Sequence, residues 1–344
     1  MLSKQGNGNA EALSGDAGHS SRDFLSTKPG LVLGALLATF LWGSATPFVK
    51  EGYRLFQVDG SSIPTILVFA GLRFILAGVM VLGIAVALGV DIRVKRSSYP
   101  KILKLAASQT FIQYSMEYIG LSMISGVMGS LLCGAQTVFS LLLAHFIFHQ
   151  EDMTARKALG CLIGALGLAI GMGNPGSSSP LGILFMLIGI MGPSVSGCLM
   201  HKYGQSDNPM VLSGWQFLTG GIGILATGFL FGGRLTAWNF RGIAVLVYLA
   251  FVSACAYTVW SFLMKKHEVS QVSMFNLANP IVSVLLSALI LGEGAEAFSG
   301  AMLAALLLVS VGIYIVTKGS EPVPVRAQAH RAPRRAKSSG SVLQ

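Results

Sequence analysis

The chain has 344 residues and a formal net charge of +10, yet only 11% of its residues are charged while 53% are apolar. Soluble domains carry roughly 25% charged residues, so this composition excludes a water-soluble globular fold and points to lipid as the main solvent. The basic excess sits in short loops and tails rather than on one amphipathic face, which argues against a nucleic-acid partner and for an anionic membrane surface.

Residues 1–30 are rich in Gly, Ser, Asn and Asp without an apolar run, so a disordered tail is expected there and not a signal peptide. Ten apolar runs follow, each near the 20 or so residues that a bilayer-spanning helix needs: 31–49, 64–89, 102–121, 126–148, 158–173, 181–200, 210–231, 243–264, 272–291 and 298–317. The break between the third and fourth rests on Gly120, Ser122, Ser125 and Gly126. Beyond them, 319–344 carries Arg326, Arg331, Arg334, Arg335 and Lys337 among Pro, Ala and Ser, the composition of a solvated basic tail. The expected fold class is therefore all-α integral membrane.

With a cytoplasmic N-terminus, 19 of the 24 Lys and Arg residues fall inside, four fall outside and Arg73 lies within a span. That bias predicts a plasma (inner) membrane protein, multi-pass, with both termini cytoplasmic and an even number of spans. The stretch 141–171 resembles 285–315: in each an apolar helix ends at an acidic residue, Glu151 or Glu293, and a Gly- or Ala-studded helix returns after a polar turn. Two halves of five spans each are expected, 31–173 and 181–318. Five is odd, so the second half enters the membrane inverted relative to the first.

A family resemblance rests on Leu41-Trp42-Gly43-Ser44 with Pro47, Leu72-Arg73, Gly292-Glu293, Asn279-Pro280, and Tyr257 with Trp260. In this order over ten spans the chain resembles the drug/metabolite transporter superfamily, EamA-type. Two departures stand out: the first-half counterpart of Gly-Glu is Gln150-Glu151, and the proline of the ninth span has no partner near Gln136. The resemblance implies two inverted five-helix repeats around a central cavity and movement of small organic solutes by alternating access.

Ionisable side chains in hydrocarbon cost several kcal/mol unless they face protein or water, so each is a functional candidate. Arg73 and Glu117 are the acid and base deep within spans. Arg73 has two readings, a helix-holding contact or direct contact with substrate or counter-ion. Gln109, Gln113 and Glu117 recur every four residues, which places them on one helical face with Tyr114 and Tyr118 beside them. Such a strip suits a cavity wall that binds ammonium or hydroxyl groups, and Glu117 could couple transport to protons; the alternative is interhelical glue, including a Glu117–Arg73 ion pair.

The ninth span offers Ser273, Asn276, Asn279 and Ser283, with Pro280 freeing a carbonyl one turn earlier. The eighth offers Ser253, Tyr257 and Ser261 beside Trp260, whose ring suits a cationic ligand or an interface anchor. Trp42, Trp215 and Gln216 are weaker candidates, and His145 reads as a satisfied core residue. Pro193 and Pro280 are candidate hinges. Gly160, Gly164, Gly167 and Gly171 form a packing seam and a candidate homodimer face.

Cys133, Cys161, Cys198 and Cys255 lack paired spacings and read as packing residues, and neither a metal nor a cofactor is expected. No phosphate-binding loop is found, so a secondary carrier of amino acids, amines or drug-like compounds is the leading expectation, with export its working direction. A channel or non-transporting scaffold would need a filter or docking surface that the sequence does not display. An intramembrane enzyme would need a paired acid, base or metal constellation, and no span contains an Asp.

Overall fold

The computed structural model describes residues 24–173, 179–267, 272 and 274–318, and these contain helices and no strand. Residues 1–23 of the expected N-terminal tail, the whole of 319–344 and Ser273 lie outside the described residues, whereas 24–30 are described and the first helix begins inside the expected tail, at Lys28, capped by Thr27. In chain order the helices are α1 (Lys28–Leu55), α2 (Ile63–Ala87), α3 (Tyr99–Leu105), α4 (Tyr114–Ser122), α5 (Gly126–Cys133), α6 (Ala135–Phe146) and α7 (Ala155–Met172). There follow α8 (Pro180–Tyr203), α9 (Pro209–Leu230), α10 (Phe240–Lys266), α11 (Ala278–Leu291), α12 (Gly294–Ala297) and α13 (Gly300–Thr317). A π-helical stretch, Ala106–Gln113, joins α3 to α4, and a 3-10 turn, Met274–Leu277, leads into α11.

The starts of these helices are written locally. Ser125, Thr154, Asn239 and Ser299 each accept a hydrogen bond from a backbone N–H two or three positions into the following helix. Pro29, Pro64, Pro180 and Pro209 occupy first-turn positions where a missing N–H costs nothing. Ser125 caps α5 three residues after α4 ends, at the break expected between the third and fourth runs.

Among the described residues eight helices are long and apolar enough to cross a membrane, α5 and α6 together counting as one, which makes the protein multi-pass. The sequence reading counts ten spans. The two further runs, 99–122 and 274–291, are helical but interrupted, the third run by its π turn and the ninth by its 3-10 entry. Exposed side chains recur on the outward faces: Leu33, Leu37 and Phe40 on α1, Leu159, Leu162 and Leu166 on α7, Leu303, Leu307 and Val311 on α13. Stripes of this kind are aggregation hazards in water and ordinary lipid contacts in a bilayer.

Helix α2 packs on α9 and α10, and α7 packs on α13. Helix α1 lies against α10 and α11; α8 lies against α4, α6 and the π stretch; α5 meets α11. Close approach depends on glycine. A Cβ on Gly78 would stand 2.6 Å from the Leu218 nitrogen, and one on Gly312 2.7 Å from both the Gly160 carbonyl and the Gly164 nitrogen. The glycine seam of the fifth run is thus filled by α13 of the same chain: a Gly167 Cβ would meet the Ala305 carbonyl at 2.8 Å. This corrects the reading of that seam as a dimer face, because its small residues already admit an intramolecular neighbour.

Candidate functional site

The polar strip of the third run begins in the π stretch. Gln109 and Gln113 both lie in Ala106–Gln113 and Glu117 lies in α4, so the face is not the regular α-helical one expected. A π turn closes i→i+5 hydrogen bonds and widens the helix, a feature that clusters at functional sites. Gln109 is buried at the meeting point of four helical runs: its Oε1 accepts from Ser196 Oγ (2.7 Å) on α8 and from Gln216 Nε2 (2.9 Å) on α9. Its Nε2 donates to the Tyr257 hydroxyl on α10.

One turn on, Gln113 Nε2 donates to Glu117 Oε1 at 3.0 Å. Glycines on α8 let this strip come near: a Gly189 Cβ would stand 2.8 Å from Glu117 Cγ, and a Gly192 Cβ 2.7 Å from Gln113 Cβ. Two amide oxygens, Gln113 Oε1 and Gln216 Oε1, are buried with no hydrogen-bond partner among the described residues.

Arg73 on α2 is 4% exposed and its donors are engaged. Nε donates to the Leu249 carbonyl (3.3 Å), Nη2 to Ser253 Oγ (3.1 Å) and Nη1 to the Tyr118 hydroxyl. The guanidinium also lies 4.8 Å from the Phe74 ring centroid. Ion pairs among the described residues are Arg54–Glu51, Lys101–Asp207 and Lys157–Glu151, so the Glu117–Arg73 pair weighed from the sequence is not formed.

The aromatic candidates come together from two helices. Trp42 on α1 meets Tyr257 at 5.4 Å and Trp260 at 5.1 Å between ring centroids, and Phe217 stands 5.0 Å from Tyr257. Tyr114 stacks on Phe74 at 3.8 Å. Trp215 is not part of this group, since its indole nitrogen donates to the Ile92 carbonyl.

Asn276 and Asn279 are half-buried, on the 3-10 turn and the first turn of α11. No side-chain hydrogen bond among the described residues joins them to the Gln109 cluster. Ser283 donates to Ser130 Oγ (2.6 Å), so it serves the α5–α11 contact. Pro280 falls in the first turn of α11, where the chain passes from 3-10 to α geometry, whereas α8 continues unbroken through Pro193. His145 Nδ1 accepts from the Met153 N–H (3.1 Å) and thereby clamps its own loop.

Sequence reasoning ranked Gln216 low and missed Ser196 altogether, because an isolated serine in an apolar run carries no signal of its own. It also missed what the Gly-Glu pair does. Gly292 ends α11 at φ +73°, a left-handed position that glycine adopts without strain, and so turns Glu293 onto the start of α5. There the carboxylate accepts from the Gly126 N–H (3.0 Å) and the Val127 N–H (2.8 Å). Ser125 donates to Glu296 (2.6 Å), and Lys50 Nζ donates to the Ile124 carbonyl (2.5 Å).

Helices long and apolar enough to cross a membrane, with a polar network buried between them, define a multi-pass membrane protein. The chain belongs to the EamA-like transporter family, whose model matches residues 29–172 and again 180–318. It is 28% identical over 295 residues to an uncharacterized transporter of Archaeoglobus fulgidus, covering 83% of this chain and 97% of that one. It is 28% identical over 308 residues to a probable amino-acid metabolite efflux pump of Salmonella typhimurium, covering 85% and 95%. The uncharacterized inner membrane transporter YedA of Escherichia coli is 25% identical, covering 86% and 93%. A protein of known crystal structure shares the fold with a TM-score of 0.59 at 17% identity, over 89% of this chain and 100% of its own.

Proposed function

We propose that the protein is a secondary carrier of the inner (plasma) membrane, with ten spans in two inverted halves, 31–173 and 181–318, and both termini cytoplasmic. It exports small organic metabolites by alternating access. The helix pairing supports two equivalent halves. Exchanging each helical run with the fifth run after it leaves the α2–α9, α7–α13 and α5–α11 contacts in place. The same exchange converts the α1–α10 contact into α4–α8, and the α1–α11 contact into α6–α8. Inverted repeats with a site at their interface are a recurring carrier plan.

The observation that carries the functional reading is the Gln109 hub, a buried amide bonded at once to α8, α9 and α10 from the third run. Interhelical hydrogen bonds in lipid contribute only about 0.6 kcal/mol each on average, so helix joining alone gives little reason for the two buried amide oxygens beside this hub that have no partner among the described residues. Gln109, Gln113, Glu117, Tyr114, Trp42, Tyr257 and Trp260 line the substrate path, with Asn276 and Asn279 at its second-half edge. Pro193 and Pro280 are the points where α8 and the ninth run flex. The naming of a Salmonella relative as an amino-acid metabolite efflux pump supports a substrate among amino acids, amines and related compounds.

Glu117 is the coupling residue. In proteoliposomes, Glu117→Gln abolishes metabolite flux driven by a pH gradient while exchange of substrate across the membrane persists. Unchanged gradient-driven flux in that variant overturns the coupling role.

A further inference from the structure

We infer that the site is selective for an organic cation, an aryl-alkyl amine, over the corresponding amino acid or carboxylate. This rests on the reading of the Gln109–Glu117 strip as the substrate site. The argument is a count of donors against acceptors. Gln113 is 7% exposed and gives its N–H to Glu117, which leaves Oε1 buried with no donor. Gln216 is fully buried, gives its N–H to Gln109, and likewise leaves Oε1 unpaired.

Flipping either amide alone does not repair this. A flipped Gln113 would aim an oxygen at the Glu117 carboxylate, which fixes its orientation, whereas Gln216 is oriented relative to Gln109, whose own partners Ser196 and Tyr257 are hydroxyls able to donate or accept. Unlike a hydroxyl, an amide oxygen cannot rotate into a donor, and an ionised carboxylate accepts only. Buried acceptors are nearly always paired in native proteins, and no N–H or hydroxyl among the described residues, the second N–H of each amide included, reaches these two oxygens. An ammonium group brings three donors and a positive charge.

The complementary group is missing. Recognition of a substrate carboxylate would fall to Arg73, the one buried Arg among the described residues. Its Nε, Nη1 and Nη2 are already held by the Leu249 carbonyl, Tyr118 and Ser253, behind the Phe74 and Tyr114 rings. That leaves two of its five N–H donors, one on each Nη, on a side chain only 4% exposed, so a substrate carboxylate would meet a buried and already tethered guanidinium. The Trp42, Tyr257 and Trp260 rings, which meet beside the Gln109 end of the strip, add faces that attract a cation and bury an aryl group.

The test is equilibrium binding to the purified full chain in detergent at neutral pH, by calorimetry, with phenethylamine, 2-phenylethanol, phenylalanine and 3-phenylpropionate. Phenethylamine is expected to bind at least about tenfold more tightly than each of the other three, a margin of ~1.4 kcal/mol. Glu117→Gln is expected to reduce that preference over 2-phenylethanol to about threefold or less. Equal or tighter binding of phenylalanine or 3-phenylpropionate overturns the cation selectivity and leaves the substrate site standing. Absence of binding by all four overturns the selectivity too. Reactivity of Gln113→Cys toward a water-soluble thiol reagent then decides the separate matter of the site: protection in the presence and absence of a pH gradient overturns it as well. The comparison of the four ligands on the unaltered chain decides the proposal even where Glu117→Gln fails to fold.

Discussion

Arg73 shows how a single charge can be stabilising in a place where charge is costly. A guanidinium has five N–H donors in a rigid fork, and three of its nitrogens here reach acceptors on two other helices, α4 and α10. Lysine offers one ammonium on a flexible stem and cannot span the Leu249 carbonyl, Tyr118 and Ser253 together. Arg73→Lys is therefore expected to lower stability by about 1–3 kcal/mol, the cost of leaving buried acceptors unmet, read as a fall in melting temperature in detergent. A melting temperature equal to that of the unaltered chain would remove Arg73 from this tie. The sequence marks Arg73 as buried, because apolar turns flank it on both sides. It leaves open whether the partners are substrate or helix, since Tyr118 and Ser253 are 45 and 180 positions away. Glu117 is legible for the same reason, and its neighbour Gln113 is legible from the four-residue spacing. The hub role of Gln109 is not, because Ser196 and Gln216 become its neighbours only when α8 and α9 have packed.

At the scale of the helix, composition is a reliable guide to what spans and a poor one to how it spans. Eight runs are apolar throughout, the fourth with the single turn residue Gly134 between α5 and α6, while polar residues of the third and ninth runs coincide with irregular backbone. A periodicity argument built on 3.6 residues per turn cannot foresee a π turn, which here lies against α8 and α9. Helix contact is another matter. Glycine spacing foretells a close approach, and α13 fills it, but the same spacing cannot say whether the visitor comes from this chain or another. A side chain on Gly312 would collide with backbone of α7, which has no room to withdraw, whereas Gly83 on α2 has nothing within 4 Å. Gly312→Leu is expected to destabilise by at least about 1–3 kcal/mol through overpacking, and Gly83→Leu to leave the melting temperature within about a degree or two. Equal effects from the two substitutions would mean that α7 and α13 are not tightly apposed.

Across the whole molecule, polar fastenings occupy opposite ends of the third helical run. Glu293, Glu296 and Lys50 hold the start of α5 just beyond its Ser122 end. Near its Tyr99 end, Asp207, in the turn between α8 and α9, accepts from Lys101 Nζ and from Ser98 Oγ, both at 2.5 Å. The Lys101 hydrogen bond, followed by that of Ser98, holds the Asp207 carboxyl down at about 2. An unfolded aspartate titrates near ~3.9, so the folded chain favours the ionised form. The resulting stability is present in full above that value and is lost as pH falls through about 2. The pair is partly solvated, with Lys101 25% and Asp207 15% exposed at the side chain. Screening therefore reduces its worth to on the order of 1 kcal/mol. Asp207→Asn is expected to lower stability by about that amount at neutral pH, and the gap between variant and unaltered chain should narrow below roughly pH 4, where the carboxyl of the unfolded chain takes up a proton while the native one stays ionised. A gap that stays constant down to pH 3, in a detergent that keeps both proteins folded, would show that Asp207 acts through shape and hydroxyl contact with Ser98 rather than through its charge.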